Sequence, residues 1–307
     1  MRSYSLLAPA KINLYLEIIG SRADGYHELA MIMQSVDLSD RIDLRANGTD
    51  EFRVYCDHPL VPSDRSNLAH RAAVLIAESF PEAFSKFGAV DIAVEKRIPV
   101  GAGLAGGSTN AAAVLVGLDL MWNLGLTQAE LQDLGAKLGS DVPFCISGGT
   151  AIATGRGEKL APLPDLDHLV ALLGKHRTLS VSTPWAYQTY RQQFGHTYAD
   201  LTQDSPHPHS GAIVAAIVHK DSQAIAQHLN NDLEKVVLPA HPPVADLRNR
   251  MQVDAIGAMM SGSGPTVFSL TESRAAAEEM RSRLAAEFTD VDFWVAPFRP
   301  TGVRVRT

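Results

Sequence analysis

The sequence contains few cysteines, no long apolar run and no excess of basic charge. Two cysteines in 307 residues are too few for a disulfide framework or a zinc-finger type of metal site, so we expect reduced thiols in a cytoplasmic protein. No apolar run approaches the roughly 18 residues that a membrane span requires, and the first residues lead directly into a predicted strand, so neither a membrane partner nor a targeting segment is expected. With 34 acidic against 27 basic residues, nucleic acid is not expected as a partner either.

The most informative stretch is a glycine-rich segment at 99–110, which lies between a predicted strand (Val90–Lys96) and a helix-like run (Ala111–Trp122). Its glycines leave backbone N–H groups uncovered, and Ser108 or Thr109 is predicted to cap the following helix. Exposed amides at the positive end of a helix dipole suit a phosphate group. The residues predicted to form this anion site are Pro99, Val100, Gly101, Ala102, Gly103, Leu104, Ala105, Gly106, Gly107, Ser108 and Thr109.

Three well-known phosphate-binding loops do not fit this segment. A Walker loop ends in Gly-Lys-Ser/Thr, which is not found here. A Rossmann turn leads through one helix to a second strand with an acidic residue. Here a second helix follows instead, opened by the capping box Thr127-x-x-Glu130, and Asp119 lies inside the first helix. A protein-kinase glycine loop joins two strands, whereas this one enters a helix. The alternative that stays open is a tight strand-to-helix connection without a ligand.

Two further segments carry candidate functional side chains. Lys11–Ile19 alternates polar and apolar residues, which predicts a half-buried strand with the Lys11 amine and the Asn13 amide on one face. The alternative is that this face is a solvent-exposed edge. Farther along, Ser140 or Asp141 is placed to cap a helical turn, so capping is the alternative to a catalytic role for this aspartate.

The rest of the pattern mixes strands and helices without a regular βαβ order, which indicates an α+β fold. Prolines and aspartates over Ala161–Leu166 are typical of a linker, and they divide the chain into predicted domains at 1–160 and 161–307. A loop is predicted at Ser205–Ser210. A second glycine-rich turn, Ser261–Pro265, lies between two predicted strands, and a plain hairpin is its alternative interpretation.

Four motifs occur in an order that carries a family resemblance. They are Pro-Ala-Lys-Ile-Asn-Leu (9–14), Pro-x-Gly-x-Gly-Leu-x-x-x-Ser (99–108), Gly-Ser-Asp-Val-Pro-Phe (139–144) and Gly-Ser-Gly-Pro-Thr (262–266). In this combination the sequence resembles the GHMP small-molecule kinases over nearly the whole chain. The resemblance implies a two-domain α+β GHMP kinase fold, in which a ribosomal-protein-S5-like N-terminal domain packs on a ferredoxin-like C-terminal domain. The active site is then expected between the two domains.

The resemblance also implies roles for particular residues. The segment 99–109 would bind the phosphates of ATP, and Asn67 and Lys96 match positions near the nucleotide base and ribose. Asp141 matches the base that accepts the proton of the substrate hydroxyl, and Lys11 matches its lysine partner. An ammonium group in that place keeps the aspartate ionised and stabilises the forming alkoxide. Mg²⁺ is an expected cofactor, but the sequence has no carboxylate cluster that identifies its ligands.

Three segments, Ala10–Leu14, Asp24–Leu29 and Ser140–Phe144, are most similar to family members whose substrate is a cytidine diphosphate-linked methylerythritol. This similarity implies ATP-dependent phosphorylation of the 2-hydroxyl of that small molecule, in the non-mevalonate route to isopentenyl diphosphate. Two alternatives stay open. One is a different GHMP kinase of the homoserine or mevalonate type, and the other is a non-catalytic nucleotide-binding module on the same fold. The sequence predicts no oligomeric state.

Recognition of the cytidine end requires flat rings and hydrogen-bonding groups. Tyr26, His27 and Tyr187 carry suitable rings, and the resemblance implies that two of them sandwich the cytosine. His27 is also a candidate hydrogen-bond donor to the base. Asn13 would bind the erythritol hydroxyls from the strand face that it shares with Lys11. For Tyr187 the alternative is packing in the core.

Overall fold

The computed structural model describes residues 3–199 and 209–306, which contain twelve strands and eleven α-helices. The strands are β1 (Ser3–Ser21), β2 (His27–Ala46), β3 (Arg53–Cys56), β4 (Val90–Glu95), β5 (Thr150–Gly155), β6 (Lys159–Leu163), β7 (Val170–His176), β8 (Asn230–Asn231), β9 (Gly257–Met260), β10 (Val267–Thr271), β11 (Val291–Arg299) and β12 (Arg304–Val305). The helices are α1 (Leu68–Ser79), α2 (Pro81–Phe87), α3 (Gly106–Trp122), α4 (Gln128–Ala136), α5 (Val142–Ser147), α6 (Thr183–Phe194), α7 (Gly211–Val218), α8 (Ser222–Gln227), α9 (Glu234–Ala240), α10 (Pro242–Gln252) and α11 (Arg274–Glu287). The predicted loop at Ser205–Ser210 lies outside the described residues except for its last two positions.

One mixed sheet runs through the described part of the chain. Its main path has the order β12-β1-β2-β11-β7-β10-β9. The long strand β2 also pairs with β4 and β5 along different parts of its length. Most pairings are antiparallel, while the parallel ones join β1 with β8 and β3 with β4. The predicted α+β class is therefore confirmed.

Among the described residues, none of the helices combines the length and the apolar character that a membrane span requires.

Strand β1 carries the predicted pair Lys11 and Asn13, but its polar face does not meet solvent. Lys11 is 5% exposed and Asn13 is 0% exposed. The strand pairs with β2 along one edge and with β8 and β12 along the other, so it is not an edge strand of the sheet. The alternative of a solvent-exposed edge is wrong, and a buried lysine requires partners inside the protein.

Helix α3 begins earlier than predicted and starts in a different way. Its first residue is Gly106, and the cap position is Ala105, in the left-handed conformation with φ 58° and no side-chain cap hydrogen bond. Ser108 and Thr109 lie inside the first turn, so the prediction that one of them caps the helix is wrong. The left-handed residue turns the chain into the helix, and the first-turn amides keep no acceptor within the helix.

The predicted linker Ala161–Leu166 is partly wrong as well. Residues 161–163 belong to β6, which pairs antiparallel with β5 from Thr150↔Leu163 to Thr154↔Lys159. Ladder hydrogen bonds with β5 thus override the turn propensity of this proline-containing stretch. The predicted domain boundary at residue 160 falls inside this strand.

Candidate active site

A cavity of about 1070 Å³ lies where four parts of the chain meet. They are the middle of β1, the glycine-rich segment, the start of α5 and helix α6. Its wall includes most of the residues that the sequence singled out: Lys11, Asn13, Tyr26, His27, Asn67, Lys96, Pro99, Val100, Gly101, Ala102, Gly103, Leu104, Ala105, Gly106, Gly107, Ser108, Asp141 and Tyr187. Thr109 is the exception, because it is fully buried and does not line the cavity. Its position argues against a direct contact with a phosphate.

Lys11 and Asp141 come together in this cavity although 130 positions separate them in the chain. The Lys11 Nζ lies 3.7 Å from Asp141 Oδ2 and donates a 2.7 Å hydrogen bond to Asn13 Oδ1. The lysine side chain is 6% exposed, whereas the aspartate side chain is 31% exposed and open to the cavity. The two side chains thus form an ion pair whose carboxylate faces the cavity.

The capping alternative for Asp141 is wrong. This residue occupies the cap position of α5, but its side chain makes no cap hydrogen bond. A capping carboxylate accepts from the second or third helical amide, and the second position here is Pro143, which has no N–H. The carboxylate is therefore left to face Lys11 and the cavity.

The second glycine-rich turn packs directly against the first. The Ser261 hydroxyl donates a 3.1 Å hydrogen bond to the Gly103 carbonyl. Gly103 has φ +74°, and an added Cβ would lie 2.2 Å from the Ser261 carbonyl oxygen, so only glycine fits there. The Lys11 amide also donates to the Leu104 carbonyl at 3.2 Å. The turn between β9 and β10 is a hairpin, as its alternative interpretation held, and it also contributes Gly262 and Ser263 to the cavity wall.

Asn67 and Lys96 line the cavity with their polar groups already engaged. The Asn67 side chain caps α1, accepting from Ala69 N at 2.8 Å and donating to the Pro62 carbonyl at 2.6 Å. Lys96 Nζ makes an ion pair with the buried Asp40. Both residues lie in the cavity wall, and each is held in place by a protein partner.

Aromatic rings form another part of the cavity wall. The rings of His27 and Tyr187 are in contact, with centroids 5.2 Å apart and an angle of 31° between their planes. Tyr26 is 54% exposed. Burial, followed by the charge of Arg191, lowers the pKa of His27 to about 4, so this imidazole is neutral near pH 7. Burial and the nearby Asp141 carboxylate raise the pKa of the Tyr187 hydroxyl.

Two arginines in the wall were missed by sequence reasoning. The Arg156 guanidinium lies over the Tyr26 ring, 4.8 Å from its centroid. Arg191 donates to the Gly25 carbonyl at 2.7 Å and to His27 Nε2 at 3.4 Å. Neither arginine belongs to a recognised motif. A single arginine on a turn or a helix is common on protein surfaces, so the neighbouring sequence does not identify either one as a site residue. Together with the two lysines they make the cavity cationic, because Asp141 is the one carboxylate among its described lining residues.

The described residues contain no group of three or more histidine, cysteine or acidic side chains that could hold a metal ion. A Mg²⁺ ion does not need such a cluster, because proteins usually bind it through one or two side chains together with substrate phosphates and water. Asp141 and the Ser108 hydroxyl supply oxygen atoms at the cavity wall. This donor set fits a magnesium ion that arrives with a nucleotide, and it does not fit a resident metal centre.

Comparisons with known proteins agree with this geometry. The sequence matches the family model of the GHMP kinases N terminal domain over residues 67–149 and that of the GHMP kinases C terminal over 213–290. A 4-diphosphocytidyl-2-C-methyl-D-erythritol kinase of Nostoc punctiforme is 64% identical, with 95% of this chain and 94% of that protein covered. The protein of the same name from Trichodesmium erythraeum is 57% identical, with 99% of each chain covered.

Solved structures give the same result. A crystal structure of a 4-(cytidine 5'-diphospho)-2C-methyl-D-erythritol kinase superposes with a TM-score of 0.75 at 33% identity, covering 96% of this chain and 98% of that one. A homoserine kinase from Cytophaga hutchinsonii superposes with a TM-score of 0.74 at 19% identity over 100% of this chain and 98% of its own, and so shares the fold. The expected GHMP kinase fold is confirmed. This chain belongs to the GHMP kinases, a family of ATP-dependent small-molecule kinases.

Proposed function

We propose that this enzyme transfers the γ-phosphate of ATP to the 2-hydroxyl of 4-(cytidine-5'-diphospho)-2-C-methyl-D-erythritol, giving the 2-phosphate and ADP. The observation that carries the proposal is the position of the Lys11–Asp141 pair between two different subsites. On one side, Lys11 is hydrogen-bonded through its backbone to the glycine-rich segment. On the other side, the Asp141 carboxylate is near enough to Tyr187 to act on its pKa. The cavity thus links an anion site to an aromatic site through an acid–base pair.

In the proposed reaction, Asp141 accepts the proton of the 2-hydroxyl as that oxygen attacks the γ-phosphorus. Phosphoryl transfer depends mainly on positioning and charge stabilisation, and a positioned carboxylate provides the base. Lys11 stabilises the negative charge that develops on the attacking oxygen. Asn13 accepts a hydrogen bond from Lys11, which orients the ammonium and leaves the amide group near the erythritol hydroxyls.

For ATP, we propose that residues 99–108 bind the phosphates through backbone amides at the start of α3. The left-handed Ala105 leaves those amides without a side-chain cap, and the positive end of the helix dipole favours an anion there. Mg²⁺ would be held by the ATP phosphates, with Ser108 or Asp141 as protein ligands, and it would offset negative charge on the phosphates. Asn67 and Lys96 would form the wall beside the base and ribose.

For the cytidine end, we propose that Tyr26 and Tyr187 stack on the two faces of the cytosine. The rings of His27 and Tyr187 already touch at 5.2 Å, which leaves no space for a third ring between them. Tyr26 is exposed and Arg156 covers one of its faces, so its other face is free to stack. The neutral His27 accepts from Arg191 through Nε2, which places its own proton on Nδ1 and makes that atom a donor.

A substrate panel tests this proposal. The protein is incubated with ATP and Mg²⁺ together with the cytidyl methylerythritol, with homoserine or with mevalonate, and ADP release is followed by a coupled assay. We expect turnover with the cytidyl compound alone, because only that substrate occupies the aromatic end. Faster turnover with homoserine or mevalonate would refute the proposed substrate. ATP binding by calorimetry without turnover on any acceptor would instead support a non-catalytic nucleotide-binding module.

We propose that residues 1–160 and 161–307 form the two domains, with the family-model matches at 67–149 and 213–290 lying on either side of this division.

We also propose a cytoplasmic location, which suits an enzyme that uses ATP and keeps both Cys56 and Cys145 as free thiols.

A further inference from the structure

Asp40 is a fully buried carboxylate on β2 that accepts four hydrogen bonds. Its Oδ1 accepts from the backbone amides of Arg97 at 2.7 Å and Ile98 at 2.8 Å. Its Oδ2 accepts from Lys96 Nζ and from Asn110 Nδ2, the latter at 2.8 Å. Asp40 itself is 0% exposed and is not part of the cavity wall.

The four donors lie at the two ends of the glycine-rich segment. Lys96, Arg97 and Ile98 immediately precede Pro99, where the segment begins, and Asn110, in the first turns of α3, is the last residue of the segment. A single carboxylate therefore holds the entry and the exit of this segment at a fixed separation. Buried charge-assisted hydrogen bonds of this kind are the strong ones, and they rigidify the groups that they join.

The neighbouring packing leaves little room for the segment to shift. An added Cβ on Gly106 would lie 3.0 Å from Lys96 Nζ and 3.2 Å from Ile98 Cγ2, so the helix start rests against residues that Asp40 holds. Lys96 and Asn110 also line the cavity. Movement of the carboxylate would therefore displace both the wall of the nucleotide site and the amides at the start of α3.

We propose that Asp40 is a positioning residue for nucleotide binding, which sets the conformation of residues 99–108 by fixing both of their ends. The proposal rests on the proposed function in one respect, namely that this segment binds the phosphates of ATP. Asp40 touches neither substrate and acts only through its four partners. Its loss should therefore weaken the binding of ATP and leave the binding of the cytidyl substrate unchanged.

The substitution Asp40→Asn tests this inference. The asparagine amide nitrogen would face hydrogen-bond donors whichever way the side chain is turned, so either the two backbone amides or Lys96 lose their acceptor. We expect the KM for ATP and the Kd for ATP to rise about 10- to 100-fold, in line with the effect of small misplacements on positioned groups. The KM for the cytidyl substrate should stay within about twofold of the wild type. Hydrogen exchange of the Arg97 and Ile98 amides should accelerate.

Asp232→Asn is the matched control. Asp232 is also a buried carboxylate, which accepts from the Ile18 amide at 2.7 Å and from Lys235 Nζ at 2.8 Å, but none of its partners lies in the glycine-rich segment. We expect this variant to lower the melting temperature and to leave the KM for ATP unchanged. If Asp40→Asn does not fold, Asp40→Glu keeps the charge opposite Lys96 and moves the oxygens away from the two amides, so it should show the same pattern with a smaller rise.

The possible outcomes are distinct. A selective rise in the ATP constants supports the inference. An unchanged KM for ATP, or equal changes in both KM values as a general loss of structure would give, overturns it. If the wild-type protein transfers no phosphate, the proposed function fails, but the Kd for ATP in the wild type and in Asp40→Asn, measured by calorimetry, still decides whether Asp40 positions the nucleotide.

Discussion

Replacing Lys11 by methionine removes the buried charge beside the proposed base while keeping most of the side-chain volume. The Lys11 ammonium lies 3.7 Å from Asp141 Oδ2 and is 6% exposed. Lys11→Met therefore separates the electrostatic role of this residue from its packing role. If the account is correct, the variant binds both substrates and transfers phosphate slowly.

The size of the effect follows from where negative charge develops. When Asp141 takes the proton, its attraction to Lys11 is lost, so the ion pair itself does not stabilise the transition state. The contribution of Lys11 to the rate is the stabilisation of charge on the attacking oxygen, and removal of one such group costs about 2.7 to 4 kcal/mol. The corresponding fall in kcat is between about 100-fold and about 1000-fold.

The assay is steady-state ADP release at saturating concentrations of both substrates. The matched control is Lys175→Met, since Lys175 is equally buried, 6% exposed, but donates to the His176 carbonyl outside the cavity. We expect the control to lose stability and to keep its kcat, while the KM for ATP in Lys11→Met changes by less than about threefold. A kcat for Lys11→Met within about threefold of the wild type would refute the electrostatic role of Lys11.

Three further predictions follow from the same geometry. Asp141→Asn should lower kcat by at least about 100-fold through loss of the base while calorimetry still detects ATP binding; near-normal turnover would exclude Asp141 as the base. Gly103→Ala should abolish ATP binding and lower the melting temperature more than the control Gly125→Ala does. Both glycines have a positive φ, but only the added Cβ at position 103 would clash with a neighbouring residue. Equal effects of the two substitutions would mean that the close approach at Gly103 is unimportant. The third concerns pH. The pKa of His27 is lowered from its usual 6.5 to about 4 in the folded protein, so the unfolded chain binds this proton first as the pH falls. The contribution of His27 to the free energy of unfolding should therefore be greatest above about pH 6.5 and decline as the pH falls to about 4. His27→Asn should flatten this part of the curve in denaturant titrations, and an unchanged slope would contradict the assignment.

Local features of the fold could be predicted from the sequence because they depend on neighbouring residues. The capping box at Thr127 and Glu130 forms as predicted, with both reciprocal hydrogen bonds present. Lys11 and Asn13 lie on one face of β1 because side chains alternate along a strand. These interactions span two or three residues and need no knowledge of the rest of the chain.

Other features could not be predicted because they depend on contacts between distant parts of the chain. The start of α3 is set by the left-handed Ala105, a conformation that alanine rarely adopts, so the sequence pointed to Ser108 or Thr109 instead. The four partners of Asp40 lie 56 to 70 positions away, and no spacing rule connects them. The same holds for Arg191, which reaches His27 across 164 positions. These pairs of side chains are brought together by the tertiary structure, so the sequence around each residue does not indicate its partner.

The position of the transferred phosphate tests the central claim most directly. The protein is incubated with ATP, Mg²⁺ and 4-(cytidine-5'-diphospho)-2-C-methyl-D-erythritol, and the product is examined by ³¹P NMR. The carbon at position 2 carries a methyl group and no hydrogen, so the account predicts one new phosphomonoester signal without three-bond proton coupling, together with one ADP per product. A new signal split by carbinol protons, or no new signal while ATP persists, would contradict it.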